Sequence, residues 1–337
     1  MMNLHKVSDL DVSGKRVLVR LDLDLAKGDD SRLRAAKETL LYLLEKGAKI
    51  IAIGHKGRPN GVEDPNLSLR DVVENLSAIT GKKAVFHPTL EAVPDSEVVL
   101  LENLRFYKGE EENDIEFTKK LAALGEVYIN EAFAVSHRKH TSIVGLPTLL
   151  PHAGGFRLVE EVKKLSMALE NPKRPVIALI SGIKKDKLEM IKALSKKFDK
   201  ILVGGRLPEY LGDEALESVR LKPKNEKLVI GNLIQDKEDI TLNTVQRFKD
   251  EIQKAGTIIL AGVLGRYEDA GHMQGTREVF EAIAASSAFK IAGGGDTEAA
   301  ISTLKLKEKF DWISVGGGAM LEFLSSGTLP GIEALKT

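Results

Sequence analysis

Residues 289–300 read FKIAGGGDTEAA, and residues 312–319 read WISVGGGA. In each stretch a short apolar run, Phe289–Ala292 or Trp312–Val315, meets three glycines. Helix-like sequence then follows, Glu298–Leu304 in the first case and Leu321–Ser325 in the second. Strand, glycine turn and helix thus occur twice within about one βαβ length. Glycine lets backbone N–H groups approach an anion with no Cβ in the way, and a helix N-terminus adds partial positive charge. Asp296, inside the first turn, supplies a carboxylate where a phosphate-bound Mg²⁺ could sit. A single glycine turn closes many α/β units and binds nothing. Two of them, one carrying an Asp, favour phosphate binding.

Further along the chain the same alternation persists. Strands are expected at 16–21, 48–54, 84–86, 97–101 and 126–130 in the first half. The second half repeats them at 175–181, 200–204, 227–231 and 257–261, ahead of the two runs already quoted. Helices are expected at 31–46, 68–80, 114–124, 158–169, 186–198, 243–255 and 276–287. Near-continuous apolar strands point to parallel sheets covered on both faces. The pattern predicts an α/β protein with two doubly wound parallel-sheet domains. Pro147–Gly155 interrupts it, and a helix from Phe156 to Glu170 bridges the halves. This gives an N-terminal domain 1–155, a linker helix 156–172, a C-terminal domain 173–325 and a returning segment 326–337.

Composition excludes several classes of function. The chain has 337 residues, with 49 Lys and Arg against 49 Asp and Glu, so no global field attracts nucleic acid or an anionic membrane. Any anion site must be a local cluster. Cysteine is absent, which removes disulfides and thiol catalysis. No apolar run approaches a membrane span and no signal-peptide core opens the chain, so a cytoplasmic protein is expected, with no nucleic-acid or membrane partner.

Such a cluster is visible in the first half. Arg20 and Asp22 end the first strand, and Arg34 lies early in the next helix. GHKGRP at 54–59 places His55 and Arg58 in a loop after the second strand. ENLRF at 102–106 sets Arg105 beyond another, and SHRKH at 136–140 adds His137, Arg138 and His140. Ligands of open parallel sheets bind beyond the carboxyl ends of the strands. Each Arg could instead cap its own helix or pair with Asp22, Glu102 or Glu110, but the whole set points to a small, highly anionic ligand.

Taken in order, VLVRLDLD (17–24), DSRLRAA (30–36), HKGRP, ENLRF, NEAFAVSHRKHTS (130–142), GGGDTEAA, GGGAMLEFL (316–324) and LPGIEAL (329–335) resemble the phosphoglycerate kinase family over nearly the whole chain. The resemblance implies reversible phosphoryl transfer between 1,3-bisphosphoglycerate with ADP and 3-phosphoglycerate with ATP, using Mg²⁺. It also implies a monomer with two domains that close about a hinge. Substrate residues implied are Arg20, Asp22, Asp24, Arg34, His55, Arg58, Arg105, His137 and Arg138. Implied nucleotide residues are Lys184, Lys187, Gly204, Gly262, Glu268, Gly294, Gly295, Asp296, Thr297, Gly316, Gly317 and Gly318, with Asp296 on the metal. Arg34, Lys184, Gly295 and Gly318 are the implied catalytic set. The substrate carboxylate is already ionised at neutral pH, so no general base is required, and the transfer asks for positioning and charge stabilisation.

Departures from the family pattern concentrate on the adenosine side. SGIKKDK (181–187) is one residue short between its lysines. VGGRLPEY (203–210) puts Arg206 and Pro208 where the base is usually lined, and several tens of residues are missing between Tyr210 and Asp239. DITLNT (239–244) and AGVLGRYE (261–268) are altered, the second losing an Asn. In the first half Asp24 stands where the family has Asn. Alternatives to the kinase reading are a paralogue with a changed nucleotide or phospho-acid, and a catalytically silent phospho-acid binder.

Overall fold

In the computed structural model, which describes residues 4–25, 30–183, 185, 187–211 and 226–336, short strands form two six-stranded sheets in which every pairing is parallel. The chain divides into two units, Met1–Lys163 with Thr328–Thr337, and Lys164–Gly327.

The first unit contains β1 (Arg16–Arg20), β2 (Lys49–Ile53), β3 (Ala84–His87), β4 (Val98–Leu101), β5 (Val127–Asn130) and β6 (His152–Gly154), in the order β3-β4-β2-β1-β5-β6. Its helices are α1 (Ser31–Ala35), α2 (Lys37–Glu45), α3 (Val73–Thr80), α4 (Lys108–Glu112) and α5 (Ile115–Ala122). Successive residues of β1 face opposite sides. Val17 and Val19 join a core with Leu33, Leu40 and Leu43, while Leu18 is equally buried outside that cluster. Both faces are covered, which is why the run reads as continuously apolar. The strand order reverses between β1 and β5, so the loops after these two strands diverge and leave a crevice at the sheet's carboxyl edge.

α6 (Phe156–Glu170) carries the chain into the second unit. Its first amides are met from below. Thr39 Oγ1 accepts from Phe156 N at 2.9 Å, and the Glu131 carboxylate accepts from Arg157 N at 3.2 Å and Leu158 N at 2.9 Å. Gly155 is obligatory here, because a Cβ would lie 2.3 Å from the Glu131 carboxyl carbon. Burial pushes the Glu131 carboxyl up to about 7, against the lowering effect of Thr39 and these amides.

The second unit contains β7 (Val176–Gly182), β8 (Lys200–Gly205), β9 (Leu228–Ile230), β10 (Thr257–Ala261), β11 (Phe289–Gly293) and β12 (Trp312–Ser314), in the order β12-β11-β10-β7-β8-β9. With them run α7 (Lys187–Leu194), α8 (Leu242–Ile252), α9 (Gln274–Ala285), α10 (Gly295–Thr303) and α11 (Gly317–Ser326). α12 (Pro330–Glu333) belongs to the first unit, where Gly331 N donates to Ser136 O at 2.8 Å. In this sheet the order reverses between β7 and β10, the arrangement of a dinucleotide-type doubly wound sheet.

Several elements differ from expectation, among them the short helices α4 and α12, which were not expected. The helix expected over 31–46 is broken at Ala36, whose amide takes the carbonyl three residues back before α2 begins. The helix expected from Ser68 starts as a 3₁₀ turn at Arg70–Val72 and becomes α-helical only at Val73, with Glu102 accepting from the Leu69 amide ahead of it at 2.8 Å. β6 was not expected. At three residues it is too short to show a period, and it exists through its pairing with Tyr128–Asn130 of β5. Among the described residues no helix is long and apolar enough to cross a membrane.

Candidate active site

At the carboxyl edge of the first sheet, the loops after β1, β2, β4 and β5 gather Arg20, Arg32, Arg105, His55 and His140. Arg20 is fully buried. Its Nε donates to Ser142 Oγ at 2.8 Å, its Nη1 to the Leu21 carbonyl, and its Nη2 lies 2.8 Å from His55 Nδ1. Glu110, also fully buried, closes the chain. It accepts from Ser142 Oγ at 2.5 Å and Ser142 N at 3.0 Å. Arg105 donates from Nη1 to Gly57 O at 2.7 Å and has Glu111 at 3.3 Å from Nε. Asp24 takes the Gly57 amide at 3.0 Å, which fixes the HKGRP loop.

Arg32 and Arg34 separate here. Arg32 Nη1 sits 3.3 Å from the buried carboxylate of Asp22 and 3.3 Å from Asp24 O. Arg34 turns away to Asp30 at 2.6 Å, with its side chain 67% exposed. The expectation of Arg34 in the cluster is therefore corrected to Arg32. Two residues along a helix correspond to about 200° of rotation, so only one of the pair can face the sheet edge. Arg58 and Arg138 are exposed, and their guanidiniums have no hydrogen bond or ion pair among the described residues.

Burial and the neighbouring arginines favour the neutral form of the histidines in this cluster. Burial lowers His55 well below its ordinary value, helped by Arg20 and Arg105. Burial and Arg105 take His140 down to about 4, and burial and Arg138 lower His137. Burial raises Asp22, with Arg32 and Arg20 pulling it back. Glu110 and Ser142 were absent from the expected set. The sequence offers Glu110 only as one possible partner for an arginine; that it accepts from Ser142 beneath Arg20 is decided by packing.

In the second unit, a cavity of about 620 Å³ opens at the switch between β7 and β10. Ser181, Lys187, Arg206, Gly262, Glu268 and Asp296 are among its lining residues. Lys187 Nζ donates to the Ser181 carbonyl. Gly204 is the last residue but one of β8, and Lys184 lies outside the described residues. Thr297 is buried and holds the Gly262 amide at 2.8 Å, so its oxygen serves the scaffold. Arg206 and Lys237 both pair with Glu209, at 2.7 and 2.8 Å, on the wall where the base-side departures fall.

The glycine turns divide into two kinds. Gly294 has φ +108°, and a Cβ on Gly317 would lie 2.6 Å from the Gly294 Cα, so the turns pack backbone to backbone. By contrast, a Cβ on Gly295 or Gly318 would meet nothing within 4 Å. Packing demands glycine at the first two positions and not at the last two, where a side chain would enter open space. Asp296 is exposed in the first turn of α10, and its carboxylate makes no hydrogen bond or ion pair among the described residues.

A family model described as phosphoglycerate kinase matches residues 7–215 and 213–327. The chain belongs to the phosphoglycerate kinase family. It is 38% identical to the phosphoglycerate kinase of Dictyoglomus turgidum, with 97% of each chain covered. Among solved structures it resembles phosphoglycerate kinase from Coxiella burnetii (TM-score 0.82, 30% identity, 99% of each chain). It also resembles the enzyme from Pyrococcus horikoshii (TM-score 0.85, 26% identity, 99% of this chain and 98% of that one). The Dictyoglomus alignment runs over 385 positions against 337 residues here, so at least 48 positions have no counterpart in this member of the phosphoglycerate kinase family. The two pieces of the family match meet at 213–215, inside the region where the sequence lacks several tens of residues.

Proposed function

We propose that this chain catalyses reversible phosphoryl transfer between ATP and the carboxylate of 3-phosphoglycerate. The phospho-acid is bound by the loops after β1, β2, β4 and β5, and the nucleotide by the second unit. The observation that carries the reading is the set of five guanidiniums at one sheet edge of a phosphoglycerate kinase family chain. Arg20 and Arg105 are internally tied, Arg58 and Arg138 carry no partner among the described residues, and Arg32 is held by Asp22 alone among side chains.

In this reading a carboxylate oxygen of 3-phosphoglycerate attacks the γ-phosphorus in line. A new P–O bond forms as the bond to the ADP oxygen breaks, and no proton has to move. Arg32 stabilises the charge spread over the transferring phosphoryl oxygens, the part first expected of Arg34, with Lys184 as its counterpart on the nucleotide side. Arg58 and Arg138 bind the phospho-acid. Gly295 and Gly318 leave space and free amides for phosphate oxygens. Asp296 suits Mg²⁺, which takes one or two carboxylates beside phosphate oxygens and waters and would neutralise their charge. Its exposed, unpaired carboxylate in the glycine turn fits that demand, and among the described residues no three-ligand cluster competes with it.

A second reading, with the phosphotransfer retained and the base preference altered, is favoured by Arg206 and Lys237 bound to Glu209 on the cavity wall. A coupled assay with 3-phosphoglycerate, Mg²⁺ and each nucleoside triphosphate in turn tests both. Activity with none of them would refute the kinase, and activity with GTP far above ATP would select the second reading.

A further inference from the structure

Arg20 stands among the residues that the family resemblance assigns to the substrate, yet it is fully buried and each of its three nitrogens has a partner inside the protein. A guanidinium has only donors and keeps its proton at every accessible pH. At 2.8 Å, then, Arg20 Nη2 must donate to His55 Nδ1, and Nδ1 must be the unprotonated ring nitrogen. The one proton of a neutral imidazole is left on Nε2. That atom has no hydrogen-bond partner among the described residues, although His55 as a whole is only 2% exposed. We infer that His55 meets the phospho-acid as a neutral Nε2–H donor whose tautomer is set by Arg20, and that Arg20 is a positioning residue and not a substrate ligand.

The network behind Arg20 has the same direction throughout. Ser142 gives its hydroxyl proton to Glu110 at 2.5 Å, which leaves its lone pair for Arg20 Nε at 2.8 Å. Tyr128, buried beside them, donates to the Ser142 carbonyl at 2.6 Å and locks that backbone in place. Glu110 thereby supplies the counter-charge that a buried guanidinium needs, through one intervening hydroxyl. A doubly protonated His55 would set an N–H against the N–H of Arg20. It would also add charge to a region already facing Arg20 from β1, Arg32 from α1, Arg105 after β4 and His140 after β5, with Asp22 and Glu110 the nearby acids. Burial and these cations lower the His55 pKa well below its usual value, in agreement with the geometry. A neutral donor gives the site a hydrogen bond that does not change with pH, leaving the permanent charge to arginines.

The inference rests on the phospho-acid reading for its ligand, but its core is a property of the ligand-free protein. Histidine-labelled protein, with ¹⁵N–¹H correlations across two bonds and His55 assigned by its loss in His55→Ala, reports the tautomer directly. The expected result is a pyridine-type Nδ1 and a pyrrole-type Nε2 that persist unchanged from pH 8 to pH 5.5. A pyrrole-type Nδ1, or a ring that titrates near pH 6.5, overturns the inference without any variant having to fold. Calorimetric titration of the same sample with 3-phosphoglycerate separately tests the ligand. Absence of binding would remove the phospho-acid reading while leaving the tautomer result standing.

Kinetics divide positioning from contact. Arg20→Met should raise the KM for 3-phosphoglycerate by about tenfold with a smaller change in kcat, and should mix the His55 tautomers. In the His55→Ala background the same substitution should add little, since Arg20 acts through a ring that is no longer there. Fully additive effects would make Arg20 a substrate ligand in its own right. Should Arg20→Met fold poorly, Ser142→Ala frees only Nε and keeps the Nη2 bond. It should leave the tautomer as in the wild type, and a changed tautomer there would contradict Arg20 Nη2 as its determinant.

Discussion

In the proposed reading, the two units would meet anions by opposite means. In the first, side chains carry the charge, and the network is built before a ligand arrives. Arg20, Ser142, Glu110 and His55 form one buried chain, and the exposed arginines stand around it. In the second, the surface proposed to face the anion is backbone. The cationic side chains lining its cavity include Lys187, tied to the Ser181 carbonyl, and Arg206 and Lys237, tied to Glu209. The turns at Gly293–Gly295 and Gly316–Gly318 offer amides and open space. A side-chain site is damaged by taking atoms away, and a backbone site by adding them. Each half can therefore be tested by the kind of substitution that the other half resists.

The largest effect should come from separating Arg32 and Arg34. Arg32→Ala should lower kcat by roughly a thousandfold, at the lower end of what a charge-stabilising arginine contributes to phosphoryl transfer. Arg34→Ala should stay within about twofold, because its partner is Asp30 at the surface. Steady-state kinetics on both variants, with thermal melts to establish folding, decide the matter. Equal losses would return Arg34 to the site.

Next in size is the acid buried under α6, which has no equivalent in the exposed Asp296. With its carboxyl raised to about 7, Glu131 holds more protons folded than unfolded between its ordinary value and that point. Its favourable term is fully present below about pH 4.5 and is lost as pH rises through 7, by roughly 3 kcal/mol in all. Urea denaturation of wild type and Glu131→Gln at pH 5 and pH 8 should show a smaller penalty for the variant at pH 8. A penalty independent of pH would mean that Glu131 is ionised throughout.

The glycine turns then test the backbone side. Gly318→Ala should cut kcat/KM by about a hundredfold through misplaced phosphate, with the Tm unchanged, since its Cβ meets no protein atom within 4 Å. Gly317→Ala should lower the Tm by several degrees, because its Cβ would press on the Gly294 Cα at 2.6 Å. Similar melting losses in both variants would erase the division between packing and ligand-facing glycines. The smallest effect is at the base. ATP and GTP should differ by no more than about tenfold in kcat/KM, or roughly 1.4 kcal/mol, since the altered wall leaves the phosphate contacts untouched. A thousandfold preference for ATP would mean that Arg206 and its neighbours rebuilt a selective pocket.

Much of this arrangement was legible in the chain. Continuous apolar runs such as Val17–Val19 and Ile258–Leu260 encode strands buried on both faces, and the alternation with helices encodes parallel sheets. From parallel sheets it follows that the loops carrying His55, Arg105 and Arg138 share one edge, and the glycine turns announce their own conformation. What sequence could not decide was the direction of individual side chains. Arg32 and Arg34 are two residues apart in one short helix; Arg34 finds Asp30 as a local i,i+4 neighbour, whereas Arg32 meets Asp22 only once the segment after β1 lies beside that helix. Arg20 ends a strand beside a cluster of cations and looks like a ligand for an anion. Its inward turn toward Ser142 and Glu110 depends on residues about 90 and 120 positions away, brought beneath it only when β1, α4 and the loop after β5 assemble. Local sequence sets which backbone conformations are cheap and which faces must be buried. The partner that a buried donor finds is a property of the packed interior, where each polar group must be matched by whatever the fold has placed within hydrogen-bond reach.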